Sequence, residues 1–157
     1  MQRMRFVGAA AVALVTASSI AIAATQIKIP VHHRHWYLFN SVVIAGPSPV
    51  AGYHNVHVDD KGVAKLKTLG PYPKGTTFVD DIYDFAKSGN QTSATTLKAI
   101  AVMVKDNARY PTTGGWGFQL FANGDPTKPL VTDAATQCFG CHQPESAHDF
   151  IIGTPDP

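Results

Sequence analysis

The chain has 157 residues, enough for one hydrophobic core and too few for two full domains. It carries 13 Lys plus Arg against 11 Asp plus Glu, and two cysteines. A nucleic-acid surface shows as a clear cationic excess, and a disulfide-stapled scaffold needs several cysteines spread along the chain, so both classes are excluded. Cysteine here serves local chemistry.

The chain opens with Arg3 and Arg5, the apolar run Phe6-Val7-Gly8-Ala9-Ala10-Ala11-Val12-Ala13-Leu14-Val15 and small residues ending Ala21-Ile22-Ala23. That is the three-part layout of a secretory signal, so residues 1–23 are expected to be cleaved and the protein to be periplasmic. An uncleaved anchor is the alternative, but a hydrocarbon core needs about 20 apolar residues. Thr16, Ala17, Ser18 and Ser19 interrupt the run early, so no membrane span is expected after cleavage. Losing Arg3 and Arg5 lowers Lys plus Arg from 13 to 11, equal to the 11 acids, and leaves a formally neutral single domain over 24–157.

Residues 26–34, with Pro30 and the His32, His33, His35 cluster, read as an extended lead-in without periodicity. Residues 36–44 are aromatic and β-branched and stop at Gly46-Pro47, which predicts a strand, with a helix as the alternative. Residues 53–58 alternate as a second strand, and 61–68 form a short helix or turn ending at Gly70-Pro71. After the Pro73-Lys74-Gly75 turn, residues 76–83 predict a strand with Phe78, Asp80 and Ile82 on one face. An acid between two apolar groups is the odd member. Residues 88–96 are polar and read as a loop, 97–105 as a central strand, and 116–121 as another strand after the glycine-rich turn at 111–115. Asn123-Gly124-Asp125-Pro126 is a turn, and Thr132 or Asp133 can cap a short helix leading to Cys138. The expected fold is mainly β (α+β), an antiparallel sheet of about five strands with a few short helices.

Cys138-Phe139-Gly140-Cys141-His142 has the C-x-x-C-H spacing that attaches a c-type haem. Two thiols at this separation reach both vinyl groups of one porphyrin, and the adjacent imidazole reaches the iron from the same side. A structural zinc site wants a second ligand pair, for which only scattered histidines are on hand. A thioredoxin-like pair wants a βαβ setting that the surrounding pattern lacks. One covalent haem c on the C-terminal helix, with His142 as metal ligand, is the reading retained.

The sixth iron ligand decides the class of activity, since His plus Met or His plus His closes the iron to substrates. Once the leader is gone Met103 is the sole methionine, and in an apolar strand it also reads as core filler. His32, His33, His35, His54, His57 and His148 are the other candidates, each equally readable as an ordinary surface or hydrogen-bonded group. Elimination points toward five-coordinate iron.

The residues Ala101-Val102-Met103-Val104-Lys105-Asp106, Arg109-Tyr110-Pro111, Thr113-Gly114-Gly115-Trp116-Gly117-Phe118 and the 138–142 motif resemble the cytochrome P460 and cytochrome c′-β family. Tyr72-Pro73-Lys74-Gly75-Thr76 is similar too, so the resemblance spans roughly residues 36–152. It implies a mostly β fold that commonly dimerises, with a five-coordinate haem whose proximal ligand matches His142. In that family P460 proper oxidises hydroxylamine and has a lysine cross-linked to the porphyrin. The c′-β branch lacks the link and binds nitric oxide beneath an aromatic cap.

By that resemblance the cross-linking position falls at Asp80, although Lys74 or Lys67 could approach the ring if they are more than solvated lysines beside a turn. If Phe78 and Asp80 share the haem-facing side, Phe78 supplies the cap and Asp80 a distal acid for proton exchange. If the strand is offset by one residue, Asp80 faces solvent. Arg109 reads either as a contact to a haem propionate or as a surface arginine. The glycine-rich stretch at 114–118 is expected to be a hairpin shaping the pocket wall.

Three functions compete: a haem protein binding a small gaseous or nitrogen-oxide ligand, an oxidoreductase acting on hydroxylamine, nitric oxide or peroxide, and a six-coordinate electron carrier. Each calls for a redox partner protein, and the resemblance adds a homodimer.

Overall fold

The β-branched and aromatic runs separated by Gly and Pro turns fold as strands. The computed structural model describes residues 26–68 and 70–156, so the expected leader at 1–23 lies outside the described residues. The strands are β1 (Tyr37–Ile44), β2 (Gly52–Val58), β3 (Thr77–Ser88), β4 (Gln91–Lys105) and β5 (Trp116–Ala122). They lie in sequence order in one five-stranded sheet, every neighbouring pair antiparallel. The mainly β architecture is therefore as expected, with short helical turns between strands and at the C-terminus.

One segment differs from expectation. Residues 88–96, read as a loop, are mostly strand: Ser88 pairs with Gln91, Lys87 with Thr92 and Ala86 with Ser93. Gly89 turns the chain at φ +60°, and Gly89-Asn90 makes the two-residue connection.

Period-2 alternation splits the sheet into two faces. On the front, Val58, Phe78, Met103 and Phe118 stand in register across four strands. They join a core with Phe39, Leu66, Tyr72, Trp116 and Ile151. Phe78 meets Phe39, Tyr72 and Trp116 edge-on at 5.4, 5.3 and 6.0 Å, pairs worth about 0.5–1.5 kcal/mol each beyond their burial.

The back face buries Val79, Ile100, Val102 and Phe121 beneath Ile27, Ile29 and Trp36 of the lead-in. Asp81 is 1 % exposed there and receives Arg34 Nε at 2.7 Å and His33 Nε2 at 3.1 Å. Burial alone would raise this carboxyl's pKa, yet hydrogen bonds from Arg34 and His33 hold it below the ordinary value. The lead-in is thus clamped by charge as well as by apolar contact. No helix among the described residues is long and apolar enough to cross a membrane.

Candidate haem site

The C-terminal helical segment starts where its sequence provides caps. Asp133 Oδ1 accepts from Ala135 N–H at 3.0 Å, and Gln137 Oε1 reaches back to accept from Thr132 and Asp133 N–H, both at 2.8 Å. The backbone then winds as a π-turn at Ala135–Phe139, an α-turn at Gly140–His142 and a 3-10 turn at Gln143–His148. Residues three apart on a helix are neighbours on its surface, which sets Cys138 and Cys141 side by side. Both are free thiols; Cys138 packs against the front core and Cys141 is exposed. Burial, with a smaller contribution from Cys141, pushes the Cys138 pKa up and keeps it a neutral thiol.

His142 completes the motif. Its Nδ1 lies 2.9 Å from the Phe150 carbonyl, which can only accept, so Nδ1 carries the proton and the Nε2 lone pair is left for a metal. Its ring rests against Phe118 at 5.0 Å. Burial lowers its pKa against the opposing hydrogen bond to Phe150, favouring the neutral form that a metal ligand requires.

The Phe150 carbonyl is itself held in an unusual backbone. Asp149 and Phe150 adopt φ of +53° and +67°, left-handed conformations that cost roughly 1–3 kcal/mol each outside glycine. Phe150 N–H donates to Glu145 O at 2.8 Å, and its ring lies beside Phe139 at 5.2 Å. That ring also covers Gly114, where a Cβ would come within 2.3 Å of it, so the glycine is required for close approach as well as for its φ of +64°. Asp149 receives Lys105 Nζ at 2.5 Å and Tyr72 N–H at 2.8 Å on its carboxylate, and Trp116 Nε1–H at 2.8 Å on its carbonyl. Lys105 is 3 % exposed. Sequence reasoning did not find Lys105, Asp149 or Phe150; the one available signal was a lysine closing an apolar strand.

Beside the buried row through Phe78 lies a partly exposed front row of Val56, Asp80, Ala101 and Leu120. Asp80 Oδ2 sits 2.6 Å from His54 Nδ1, and His54 Nε2 sits 2.8 Å from Val50 O. Burial pushes the His54 pKa down, but the hydrogen bond and charge of Asp80 outweigh it and the net shift is upward. Asp80 Oδ1 is buried without a partner among the described residues, as is the Tyr72 hydroxyl.

Phe78 is 3 % exposed and enclosed by its aromatic neighbours, and Met103 packs against the same core. Lys74 is 75 % exposed and pairs with Asp106 at 3.0 Å, while Lys67 is exposed. Arg109 is exposed, its guanidinium 5.2 Å from the Tyr110 ring, and borders an open cavity of about 550 Å³ shared with Phe118 and Ala134. Gly117 belongs to this wall, since a Cβ there would strike the Tyr110 ring at 2.3 Å.

Two adjacent free thiols, an imidazole with its Nε2 available, an apolar front face and an unpartnered carboxylate oxygen on that face make a donor set that fits a c-type haem. Comparison with curated proteins gives no match. A family model, Cytochrome P460, matches residues 30–153, a span that holds the whole sheet, the cysteine pair and His142. The chain therefore belongs to the cytochrome P460 family, and with that membership comes a c-type haem as cofactor.

Proposed function

We propose that the protein is a periplasmic, single-haem c-type cytochrome with an open iron site that binds or converts small nitrogen oxides, nitric oxide foremost. Cys138 and Cys141 would carry the thioether links and His142 Nε2 would bind the iron. The observation that carries this reading is the 2.9 Å contact between His142 Nδ1 and the Phe150 carbonyl. It fixes the tautomer and the ring orientation in the manner of ligating histidines.

The haem, when bound, supplies an iron that takes a small ligand and exchanges one electron. The surrounding residues do the rest. Asp80 Oδ1, unpartnered on the front face, accepts or returns a proton at the ligand, while His54 holds a proton against Asp80 Oδ2 as a reserve. Phe78, wedged among Phe39, Tyr72 and Trp116, is a rigid apolar wall that excludes water. Arg109 stands at the cavity rim, where a guanidinium suits a propionate.

The lysines favour nitric oxide binding over the cross-linked, hydroxylamine-oxidising alternative: Lys74 is committed to Asp106, Lys67 is exposed and Lys105 is tied to Asp149. A redox partner protein and a homodimer belong to the same reading. The periplasmic location rests on the leader sequence.

The test is an absorption spectrum of protein expressed with haem-attachment machinery, ferric, ferrous and after nitric oxide. A broad high-spin ferrous Soret band that moves with nitric oxide is expected. A strongly red-shifted ferrous band would instead establish the cross-linked hydroxylamine enzyme. Sharp low-spin bands unmoved by the gas would leave an electron carrier.

A further inference from the structure

We propose that Lys105 and Asp149 are positioning residues for the axial imidazole, an ion pair that sets the iron's reduction potential from beyond the ligand shell. The inference rests on His142 being the axial ligand. Among the described residues His142 Nδ1–H donates to the Phe150 carbonyl, and the strength of that hydrogen bond sets how much electron density the imidazole gives the metal.

The direction of that carbonyl follows from two successive left-handed residues, Asp149 and Phe150, which a free chain seldom adopts. Among the described residues Asp149 accepts from three donors, Lys105 Nζ, the Tyr72 N–H and the Trp116 indole N–H. Of the three, Lys105 supplies the charge. It is buried, donates to Gly114 O at 3.1 Å and lies 4.9 Å over the Trp116 ring, so its ammonium is held from several sides and does not swing away. A lysine at the end of β4 thereby reaches the tail past the haem motif, 44 residues further along the chain. Removing its charge frees the 149–150 turn, lengthens the bond at Nδ1 and makes the imidazole a poorer donor, which disfavours the ferric state.

The holoprotein variants Lys105→Met and Asp149→Asn, their double variant, and Lys74→Met as an exposed ion-pair control are compared with wild type. Pyridine haemochrome assay gives haem content, redox titration gives the potential, and ferrous resonance Raman gives the iron–imidazole stretch. The Lys105 and Asp149 variants are expected to keep their haem, to favour the ferrous form by about tenfold, equivalent to about 59 mV for one electron, and to lower the stretch frequency. Lys74→Met is expected to change neither. If a single variant fails to fold because one buried charge is left alone, the double variant carries neither charge and gives the same readings.

Any haem-loaded variant at Lys105 or Asp149 with wild-type potential and wild-type stretch would overturn the proposal and leave a purely structural pair. A wild-type spectrum without an iron–imidazole stretch, or one unchanged in His142→Gly, would sink the parent reading instead.

Discussion

His54 has an acceptor at each ring nitrogen, Asp80 Oδ2 at 2.6 Å and Val50 O at 2.8 Å, and only the imidazolium can donate to both. Its pKa is raised above the ordinary 6.5 despite burial. The stabilisation from this group is therefore complete below the unfolded-state value and is lost as pH rises through the higher folded-state value. Asp80→Asn removes the charge that sustains it. Between about pH 5.5 and about pH 9, urea unfolding should show wild type losing more stability than Asp80→Asn. The excess should be about 1.5–3 kcal/mol, the worth of one hydrogen bond to a charged group. Parallel pH profiles for the two proteins would show that His54 is neutral in the folded state. At this scale the sequence marks candidates where chemistry is local: Cys138, Cys141 and His142 stand out by their C-x-x-C-H spacing, and Asp80 by its place between the apolar Phe78 and Ile82. His54 did not stand out among the other histidines because its partner lies 26 residues away on the next strand. The Lys105–Asp149 pair, 44 residues apart, is hidden for the same reason. Register and tail path, which no local window contains, bring both pairs together.

Among the elements, β3 and β4 outgrow their neighbours. β2 pairs with β3 only as far as Tyr83, and β5 pairs with β4 only from Ala99 onward, so residues 84–96 form a two-stranded arm beyond the sheet. Most of the arm's residues are exposed, and a two-stranded hairpin alone is marginally stable in water. Amides that β3 and β4 pair within the arm should exchange at least about a hundredfold faster than those paired at Thr77–Val104 through Ile82–Ala99, as local opening far below global unfolding permits. Deuterium exchange by mass spectrometry reads this directly, and equal protection along both strands would mean that something covers the arm. The arm also shows why a polar strand escapes periodicity. Gln91, Thr92, Ser93, Thr95 and Thr96 bury no apolar face, so no alternation marks them. The sign that the sequence holds is the Gly89-Asn90 dipeptide, a two-residue hairpin signal set within a polar stretch. Strands with buried residues, such as residues 76–83 and 97–105, were visible because their apolar pattern carries the packing.

Across the whole molecule, the two ends of the described chain serve opposite faces of the sheet. The lead-in closes the back through Arg34, His33 and the apolar Ile27, Ile29 and Trp36. The C-terminal tail crosses the front from Trp116 on β5 to β1: Ile151, 3 % exposed, enters the core, and beyond it the tail meets the edge strand. Asp156 N–H donates to Phe39 O at 2.7 Å, Ser41 N–H to Asp156 Oδ2 at 3.1 Å, and Asn40 Nδ2 to Thr154 O at 3.3 Å. These contacts occupy backbone groups on β1, which among the described residues is an edge strand of the sheet. Two truncations separate the tail's roles. Removing residues from 154 onward deletes only the edge contacts, largely exposed, and should cost about 1–2 kcal/mol. Removing residues from 149 onward also strips Ile151 from the core and leaves Lys105 as a buried cation without its carboxylate, a combined loss of more than about 5 kcal/mol. That approaches the whole stability of an ordinary domain, so the longer truncation should lose its cooperative urea transition while the shorter one keeps it. If both truncations unfold cooperatively at nearly the same urea concentration, the sheet does not depend on Asp149 and Ile151, and the tail is only a cover for β1.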